Sequence, residues 1–293
     1  MTMGWVRKQQ LTGYLFVAPN IIGIFVFFFI PALFSLIISF TNWKFTQKTA
    51  DFVGFSNFSR LFQDDVFYIA LKNTVIFLLS VPVSVLLAFA VALVLNNQVY
   101  FKNWLRAMYF LPYITNGVAV AFVWMLLFDA KNGPINHILR SAGIANPPGW
   151  FSTTTSPMYA FDLIWIWLMV GYNMIIYMAA LQEIPKELLE AAKMDGAKRW
   201  QSIIHIIFPL VSPTTFFLLI TGFVVTIKSF GIVESITHGG PGTSTHILSL
   251  FVYKTAFRYY EMGYASTISL VLLAFILLIS LLQWYGQKKW VHY

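Results

Sequence analysis

The sequence predicts an all-α integral membrane protein with six membrane-spanning helices. Hydrophobic residues make up 58% of the 293-residue chain and charged residues only 10%, which leaves too little polar surface to cover a soluble globule. Apolar segments of roughly 20 residues or more, the length that crosses about 30 Å of hydrocarbon, recur along the chain. Loops with glycine and proline turn signals separate most of them. The six helices are expected at about residues 14–40, 71–95, 104–128, 158–181, 208–230 and 264–285.

The first predicted helix follows a short basic tail that contains Arg7 and Lys8. Its apolar run is too long for a secretory signal, and no small-residue cleavage site follows it, so we expect this helix to be retained. Pro19 and Pro31 lie inside it and would free backbone carbonyls. Membrane helices tolerate this defect where neighbouring helices or water molecules repair it.

The connections between the helices differ in length. Residues 96–103 are the whole link between the second and third helices, which predicts an antiparallel hairpin. Residues 42–72, 129–157 and 231–263 are expected to be long loops, and their glycine and proline pairs are typical of turns.

The distribution of cations predicts the orientation of the chain. If the amino terminus is cytoplasmic, six crossings place both termini, residues 96–103 and residues 183–207 on the cytoplasmic side. Lysine and arginine are denser in these segments than in the other loops, in the sense of the positive-inside rule. The net charge of +8 is therefore attributed to membrane topology. We expect a lipid environment and no nucleic-acid partner.

Signatures of a catalytic centre are missing from the sequence. No G-x-x-x-x-G-K-[ST] phosphate loop and no G-x-S-x-G motif occur, and the five histidines are scattered without metal-ligand spacing. The lack of cysteine excludes disulfides and thiolate chemistry. We predict no catalytic residue, metal site or cofactor in this chain. A function that consumes energy would need a partner to supply it.

Residues 183–213 are the longest charged, helix-prone interval between two apolar segments. Acidic and basic residues alternate there, and Asp195-Gly196 interrupts them, which predicts two short helices that meet at a turn. Glycine suits such a turn because it adopts a positive φ at little cost. Small alanines around the turn would let another protein approach the backbone. The alternative is a solvated amphipathic linker in which Asp195 caps its own helix.

The turn carries a recognisable motif. Glu190-Ala191-Ala192 followed by Asp195-Gly196-Ala197 resembles the E-A-A---G signature of permease subunits of bacterial ATP-binding-cassette (ABC) importers. Its D-G-A form is similar to the sugar-importer branch, of the maltose and glycerol-phosphate transporter type. Further motifs that resemble this family occur in the right order, at Gly54-Phe55, Asn57-Phe58, Asn73-Thr74, Gly133, Asn136, Leu139, Gly143, Thr237, Gly239-Gly240-Pro241, Tyr253, Ala256-Phe257 and Gly263-Tyr264-Ala265.

The resemblance covers nearly the whole chain, and it implies the type I ABC importer permease fold. Residues 1–293 would then form a single transmembrane domain, and residues 183–207 a cytoplasmic coupling segment within it. In this family the corner docks into a cleft on the ATPase subunit and carries its closure to the membrane helices. The coupling residues would be Glu190, Ala191, Ala192, Asp195, Gly196 and Ala197.

The resemblance also implies the function and the partners. The chain would be a multi-pass subunit of the bacterial cytoplasmic membrane that imports a mono- or oligosaccharide, with glycerol phosphate or a polyol as the alternative. It would not be an enzyme, because ATP and Mg²⁺ would bind to two separate ATPase subunits. A second, homologous permease and an extracytoplasmic solute-binding protein would complete the transporter.

A path for a hydrophilic solute needs polar or aromatic groups at membrane depth. The candidates, which match sugar-contacting or polar positions of the family or lie beside them, are Trp167, Tyr172, Asn173, Thr226, Lys228 and Ser229. Each has an ordinary alternative, since tryptophan packs, threonine bonds its own helix and lysine extends toward the membrane surface. Trp165 and Met169 stand where relatives have an asparagine and a glycine that contact the sugar. This departure leaves open a reshaped pocket, or a main site on the partner permease.

Two other functional classes fit the sequence less well. An ion-coupled secondary transporter or channel usually has charged relays within its membrane helices, and only Asp162 and Lys228 are candidates here. A membrane enzyme is disfavoured by the missing nucleophile and metal motifs.

Overall fold

A computed structural model describes residues 2–97, 100–288 and 290–291. Within these ranges every regular element is helical, apart from one isolated bridge between Thr41 and Phe52. The α-helices are α1 (Thr2–Ile24), α2 (Ile30–Ile38), α3 (Ser56–Phe62), α4 (Asp65–Leu78), α5 (Ser80–Asn96), α6 (Lys102–Ile114), α7 (Gly117–Leu127), α8 (Pro134–Ser141), α9 (Pro157–Glu183), α10 (Lys186–Met194), α11 (Arg199–Ser202), α12 (Phe208–Leu210), α13 (Ser212–Lys228), α14 (Gly231–Thr237), α15 (Leu248–Phe257) and α16 (Met262–Gln287). The π-helical turns Phe25–Phe29 and Ile203–Ile207 and the 3₁₀ turn Trp150–Ser152 complete them.

The described part of the chain contains up to six membrane crossings, if each of two bent helix pairs counts as one. Four unbroken segments are long and apolar enough to cross a bilayer, namely Arg7–Ile38, Asp65–Asn96, Pro157–Glu183 and Met262–Gln287. The other two crossings consist of α6 with α7, bent by 99°, and of Arg199–Leu210 with α13, bent by 64°. The predicted all-α membrane architecture is confirmed.

The third and fifth crossings were predicted as continuous helices, and this prediction is wrong because each is bent and broken. The helix expected at 104–128 breaks after Ile114, and Thr115 is the C-cap of α6. Asn116 caps α7 by accepting hydrogen bonds from the Val118 and Ala119 amides at 2.9 and 3.3 Å. The helix expected at 208–230 starts at Arg199 and bends at Val211. Pro213 follows as an early residue of α13, because proline fits the first turn of a helix but not its interior.

The loop predictions also need correction. The interval 42–72 contains α3 and the start of α4, where the Asp64 carboxylate accepts from the Val66 amide at 2.9 Å, so the second crossing begins at Asp65. The interval 129–157 contains α8, and the interval 231–263 contains α14 and α15. Turn residues in these intervals mark the ends of short helices that are too polar or too short to be read from hydropathy.

Contacts group the chain into two compact units. The first comprises the described residues up to Gln63 together with Val252–Val271. The Asn57 amide donates to the carbonyls of Ser39 and Thr41 at 2.8 Å each, and the Thr267 hydroxyl donates to Ser39 at 3.1 Å. Gly263 lies so close to the Thr41 carbonyl that a β-carbon would collide with it. These bonds fasten the loop after α2 to the start of α16.

The second unit comprises Asp64–Phe251 and the described residues from Leu272 onward. Its core lies where α5, α9 and α13 pack together. Val85, Ala88 and Ala92 recur on one face of α5 and are buried against Met174 and Tyr177 of α9. This packing holds the helices that line the membrane cavity described below.

Asparagines hold the loops of the second unit. The Asn73 amide donates to the carbonyls of Ser244 and His246 at 3.0 and 2.9 Å. Asn136 donates to the carbonyls of Ala130 and Pro148 at 3.0 Å each. The Trp150 indole in turn donates to Asn136 at 2.6 Å.

Candidate functional site

The segment Lys186–Lys198, in which α10 ends and the chain turns toward α11, is named the coupling corner here after its predicted role. Its end is a Schellman motif: the Ala197 amide donates to the Ala192 carbonyl at 2.9 Å, and the Gly196 amide donates to the Lys193 carbonyl at 3.1 Å. Gly196 has φ +78°, the left-handed conformation that this motif requires. The motif therefore places its alanines and its glycine at the positions that a Schellman motif needs to end a helix.

The next helix starts immediately after the corner. The Lys198 amide donates to the Gln201 side-chain carbonyl at 2.7 Å, which satisfies a backbone donor at the start of α11. From Arg199 the helical path continues through Ile203–Ile207 and α12 to the bend at Val211, and α13 begins directly there. A short helical path thus joins the corner to a membrane-spanning helix.

Most side chains of the corner face solvent. Glu190, Ala191, Asp195 and Gly196 are exposed, while Ala192 and Ala197 are half-buried. Among residues 2–97, 100–288 and 290–291, the Glu190 and Asp195 side chains form no ion pair or hydrogen bond.

The corner is also open around its glycine. A β-carbon built at Gly196 would meet no atom within 4 Å, so only its backbone conformation restricts that position within the described chain. The alternative in which the Asp195 carboxylate caps its own helix is not seen, because the backbone alone closes the helix end.

A shallow groove of about 350 Å³ lies beside the corner. Backbone and small side chains form one wall, and polar groups of α11 and the following turn form the other. Its lining residues are Asp195, Gly196, Ala197, Gln201, Ser202, His205 and Ile206. The His205 Nδ1 atom lies 3.0 Å from the Gln201 carbonyl, which orients the imidazole. The groove is mixed polar and apolar, as protein-docking surfaces usually are.

A second site lies among the membrane helices α5, α6, α9 and α13. Its cavity has a volume of about 70 Å³ and is lined by Val81, Ser84, Tyr113, Trp165, Met169, Tyr172, Asn173, Thr221, Gly222, Val225 and Thr226. Ligand pockets usually measure roughly 300 Å³ or more, so the cavity is closed to a sugar in this conformation.

The polar groups of this cavity bond to one another. The Trp165 indole donates to the Thr226 hydroxyl at 2.7 Å, and the Asn173 amide donates to Ser84 at 3.3 Å. The Tyr113 and Tyr172 rings are stacked with centroids 4.7 Å apart. An aromatic stack beside hydroxyl and amide groups offers both an apolar face and hydrogen-bond partners.

The structure brings together only some of the predicted path residues. Tyr172, Asn173 and Thr226 line the 70 Å³ cavity. Trp167 lines a separate apolar groove and packs edge-on to Trp124 at 5.5 Å. Exposed Lys228 ends α13 and Ser229 follows as its C-cap, and neither lines the cavity.

Sequence reasoning missed Ser84 and Tyr113. Ser84 had only a weak signal, because a hydroxyl in an apolar helix bonds its own backbone, as both Ser80 and Ser84 do in α5. Tyr113 had none, because its position depends on the bend between α6 and α7.

Known proteins resemble this chain in sequence and in fold. Residues 53–290 match the family model described as binding-protein-dependent transport system inner membrane component. The chain is 38% identical over 292 residues to the lactose transport system permease protein of Rhizobium radiobacter, covering 97% of this chain and 96% of that protein. It is 35% identical over 290 residues to the sn-glycerol-3-phosphate transport system permease protein of Agrobacterium fabrum, covering 98% of both.

A solved structure has the same fold. A chain of a bacterial alginate ABC transporter, determined in complex with an alginate pentasaccharide-bound periplasmic protein, superposes with a TM-score of 0.80 at 23% identity, over 96% of both chains.

Proposed function

The chain belongs to the family of inner membrane components of binding-protein-dependent transport systems, and on this premise we propose that it is the permease subunit of an ATP-driven carbohydrate importer. It is a multi-pass protein of the cytoplasmic membrane. Its substrate would be a mono- or oligosaccharide. The relative named for lactose transport supports this substrate class, whereas the relative named for sn-glycerol-3-phosphate transport supports the alternative.

The main support for the proposal is the conformation and exposure of the coupling corner. Its backbone is fully closed by the Schellman motif, while its acidic side chains are exposed and have no partner within the described residues. A corner of this kind is ordered before it binds, so docking would cost little conformational entropy. We infer that an ATPase subunit docks on Glu190, Ala191, Ala192, Asp195, Gly196 and Ala197.

The covalent path from the corner supports a coupling mechanism. Movement of α10 would be transmitted through α11 and α12 to α13. Two buried hydrogen bonds tie α13 to α9, from Trp165 to Thr226 at 2.7 Å and from Tyr177 to Thr215 at 2.8 Å. Displacement of α13 would break or rearrange these bonds and open the cavity. ATP binding and hydrolysis in the partner subunits would thereby drive alternating access.

A carbohydrate fits the composition of the cavity better than an organophosphate does. The described residues that line it carry hydroxyl, amide and aromatic groups but include no lysine, arginine or histidine. A phosphate group normally binds to arginine or lysine, so glycerol phosphate would require cations from the second permease. The lining also contains no carboxylate, which disfavours an ion-coupled carrier that works through this cavity.

Co-purification and reconstitution test the proposal. The tagged chain would be expressed with its neighbouring genes and purified in mild detergent. We expect one homologous permease and two ATPase copies to accompany it, and sugar uptake into proteoliposomes to require ATP and the binding protein. Isolation of the chain alone, with uptake driven by an ion gradient, would contradict the proposal. Uptake of glycerol phosphate but not of sugars would show that the proposed substrate is wrong, while the chain would still be the permease of an ATP-driven importer.

A further inference from the structure

Asp162 is a carboxylate of the second unit that neither the coupling corner nor the cavity uses. It lies in the second turn of α9 and is half-buried. Its Oδ1 atom is buried and hydrogen-bonds no atom among residues 2–97, 100–288 and 290–291, and no cation in those ranges forms an ion pair with it. A buried carboxylate oxygen without a donor is unfavourable, so we expect a donor from outside the described chain.

Helical spacing places Asp162 on the face of α9 that lines the 70 Å³ cavity. Met169 and Asn173, which follow it by seven and eleven residues, point within about 20° of the same direction, and both line the cavity. Trp165, three residues after Asp162, also lines the cavity. Leu163 points away from this face and lines the apolar groove instead. Asp162 itself is not part of the cavity lining, so it lies about one turn beyond the cavity on the same face.

Helix α13 brings a second polar group to the same depth. Two hydrogen bonds show that α9 and α13 run antiparallel, because the later residue of α9 bonds the earlier residue of α13. One of these bonds joins Trp165 to Thr226. Asp162 lies three residues before Trp165, and Ser229 lies three residues after Thr226. Ser229, a predicted path residue outside the cavity lining, is therefore at about the depth of Asp162.

This depth is the end of the cavity that is farther from the coupling corner. Helix α9 ends at Glu183, directly before the corner begins at Lys186, whereas Asp162 lies near the start of the helix. If the corner is cytoplasmic, as the distribution of cations predicts, Asp162 lies toward the extracytoplasmic side. A solute delivered by a binding protein would then reach Asp162 before it reaches the cavity.

We propose that Asp162 is a specificity-determining residue of the transport path, whose carboxylate accepts hydrogen bonds from hydroxyl groups of the carbohydrate at the outer end of the cavity. This inference rests on the proposed function. The Trp165 indole and the Asn173 amide in the cavity already bond side chains of the protein. Asp162 is by contrast an acceptor without a donor, and sugar hydroxyls are donors. Hydrogen bonds to an ionised acceptor are also stronger than those between neutral groups.

A cation is the alternative partner for this carboxylate. Lys228 is the last residue of α13, but its side chain is exposed and forms no ion pair with Asp162. A cation of the second permease is the other candidate. An ion pair of either kind would hold helices together without contacting the solute, so its loss would affect the uptake of every solute equally. Loss of a hydroxyl-binding carboxylate would instead change the preference between solutes.

Uptake of deoxy sugars by the reconstituted transporter tests the proposal. The complete transporter and its binding protein would be placed in proteoliposomes, and ATP-driven uptake of lactose, maltose and glucose would be compared with that of their monodeoxy analogues. Because every variant receives its solute from the same binding protein, a changed ratio between sugar and analogue reports on the permease. We expect Asp162→Asn to lower this ratio about tenfold for at least one analogue, as expected for a lost hydrogen bond to a charged group. Asp162→Glu, which keeps the carboxylate, should retain more of the preference.

The outcomes separate this inference from the proposed function. A wild-type transporter that takes up none of the three sugars with ATP and the binding protein would contradict the proposed substrate class, and the inference would fall with it. If the wild type transports a sugar but Asp162→Asn leaves every ratio unchanged, only the inference is overturned. Asp65→Asn, which removes an exposed carboxylate at the start of α4 in the same unit, is the matched control and should leave the ratios unchanged.

Cysteine labelling tests whether position 162 lies on the path. The chain contains no cysteine, so the Asp162→Cys variant has a single thiol in this subunit. A membrane-impermeant methanethiosulfonate reagent should label it in the transporter trapped with vanadate and the binding protein, and the transported sugar should slow the labelling at least fivefold. Leu163→Cys, on the side of the apolar groove, should show no protection by sugar. Absence of labelling at position 162, or labelling at the same rate with and without sugar, would overturn the proposal.

Discussion

The loop asparagines and the coupling corner both carry motif residues of the same family resemblance, yet their side chains behave in opposite ways. Asn136 is 1% exposed and makes three hydrogen bonds, to Ala130, Pro148 and Trp150. The Glu190 side chain is exposed and bonds no group within the described chain. The comparison separates motif residues that hold this chain together from those that are left available to a partner.

Gly196 both stabilises the local fold and leaves open space around it. Its positive φ closes the Schellman motif, and apart from Gly196 and its two chain neighbours no atom of the described chain lies within 4 Å of the position that a β-carbon would take there. The backbone conformation therefore restrains a substitution at this position. Under the proposed docking, a side chain there would collide only with the docked protein. Variants at the two kinds of position should separate stability from coupling.

Gly196→Asp should have the largest effect on transport. We expect the variant to insert and fold, since no neighbour obstructs the side chain. ATP-driven uptake should fall by roughly a hundredfold or more, because a carboxylate buried unpaired in a docking cleft costs about 3 kcal/mol or more. Uptake into proteoliposomes and yield in the membrane fraction are the measurements. Gly196→Asn, which has the same size and tolerates positive φ, should keep more activity. Normal uptake by Gly196→Asp would count against docking at this corner.

Asn136→Asp should have the largest effect on stability. The carboxylate still accepts from the Trp150 indole but cannot donate to the Ala130 and Pro148 carbonyls, which it would instead repel. We expect a loss of about 2–4 kcal/mol in the free energy of unfolding, seen as a lower thermal midpoint in detergent. His137→Gln, at the adjacent exposed position, should change the midpoint little. An equally stable Asn136→Asp protein would show that these bonds do not hold the loop.

Trp165→Phe should have a smaller effect, because it removes one donor and keeps the aromatic packing. The lost hydrogen bond to Thr226 should lower stability by about 1 kcal/mol, in the range of intramembrane hydrogen bonds. A double-mutant cycle with Thr226→Val measures the coupling between the two side chains, which we expect to be about 0.6–1.7 kcal/mol. If the effects of the two substitutions are additive, the hydrogen bond between Trp165 and Thr226 does not stabilise the packing of α9 against α13.

Glu190→Gln should have the smallest effect on stability and a measurable effect on the partner. The free energy of unfolding should change by less than about 0.5 kcal/mol, because the side chain is exposed and unpaired within the described residues. The affinity for the ATPase subunit should fall more than in Glu187→Gln, an exposed glutamate one helical turn away and outside the motif. Equal affinities of the two variants would argue against a specific role for Glu190.

The path residues show how far sequence reasoning reaches in a membrane helix. Tyr172, Asn173 and Thr226 were predicted as polar or aromatic groups at membrane depth, and all three line one cavity. Trp167 had the same signal but faces the apolar groove, since its position on α9 turns it toward α6 and α7. The residue type predicts that a side chain needs polar or aromatic neighbours within the membrane. The rotation of its helix decides which cavity or groove the side chain faces.

The sequence by itself determined the membrane class, the number and approximate centres of the apolar crossings, and the turn at Gly196. These follow from local properties: the length of an apolar run that a bilayer requires, and the positive φ that glycine allows. Only the tertiary structure decided that the third and fifth crossings bend, that Asn73 and Asn136 fasten distant loops, and that Trp165 bonds to Thr226. Those outcomes depend on how helices rotate and cross, which is settled by packing between residues far apart in the chain.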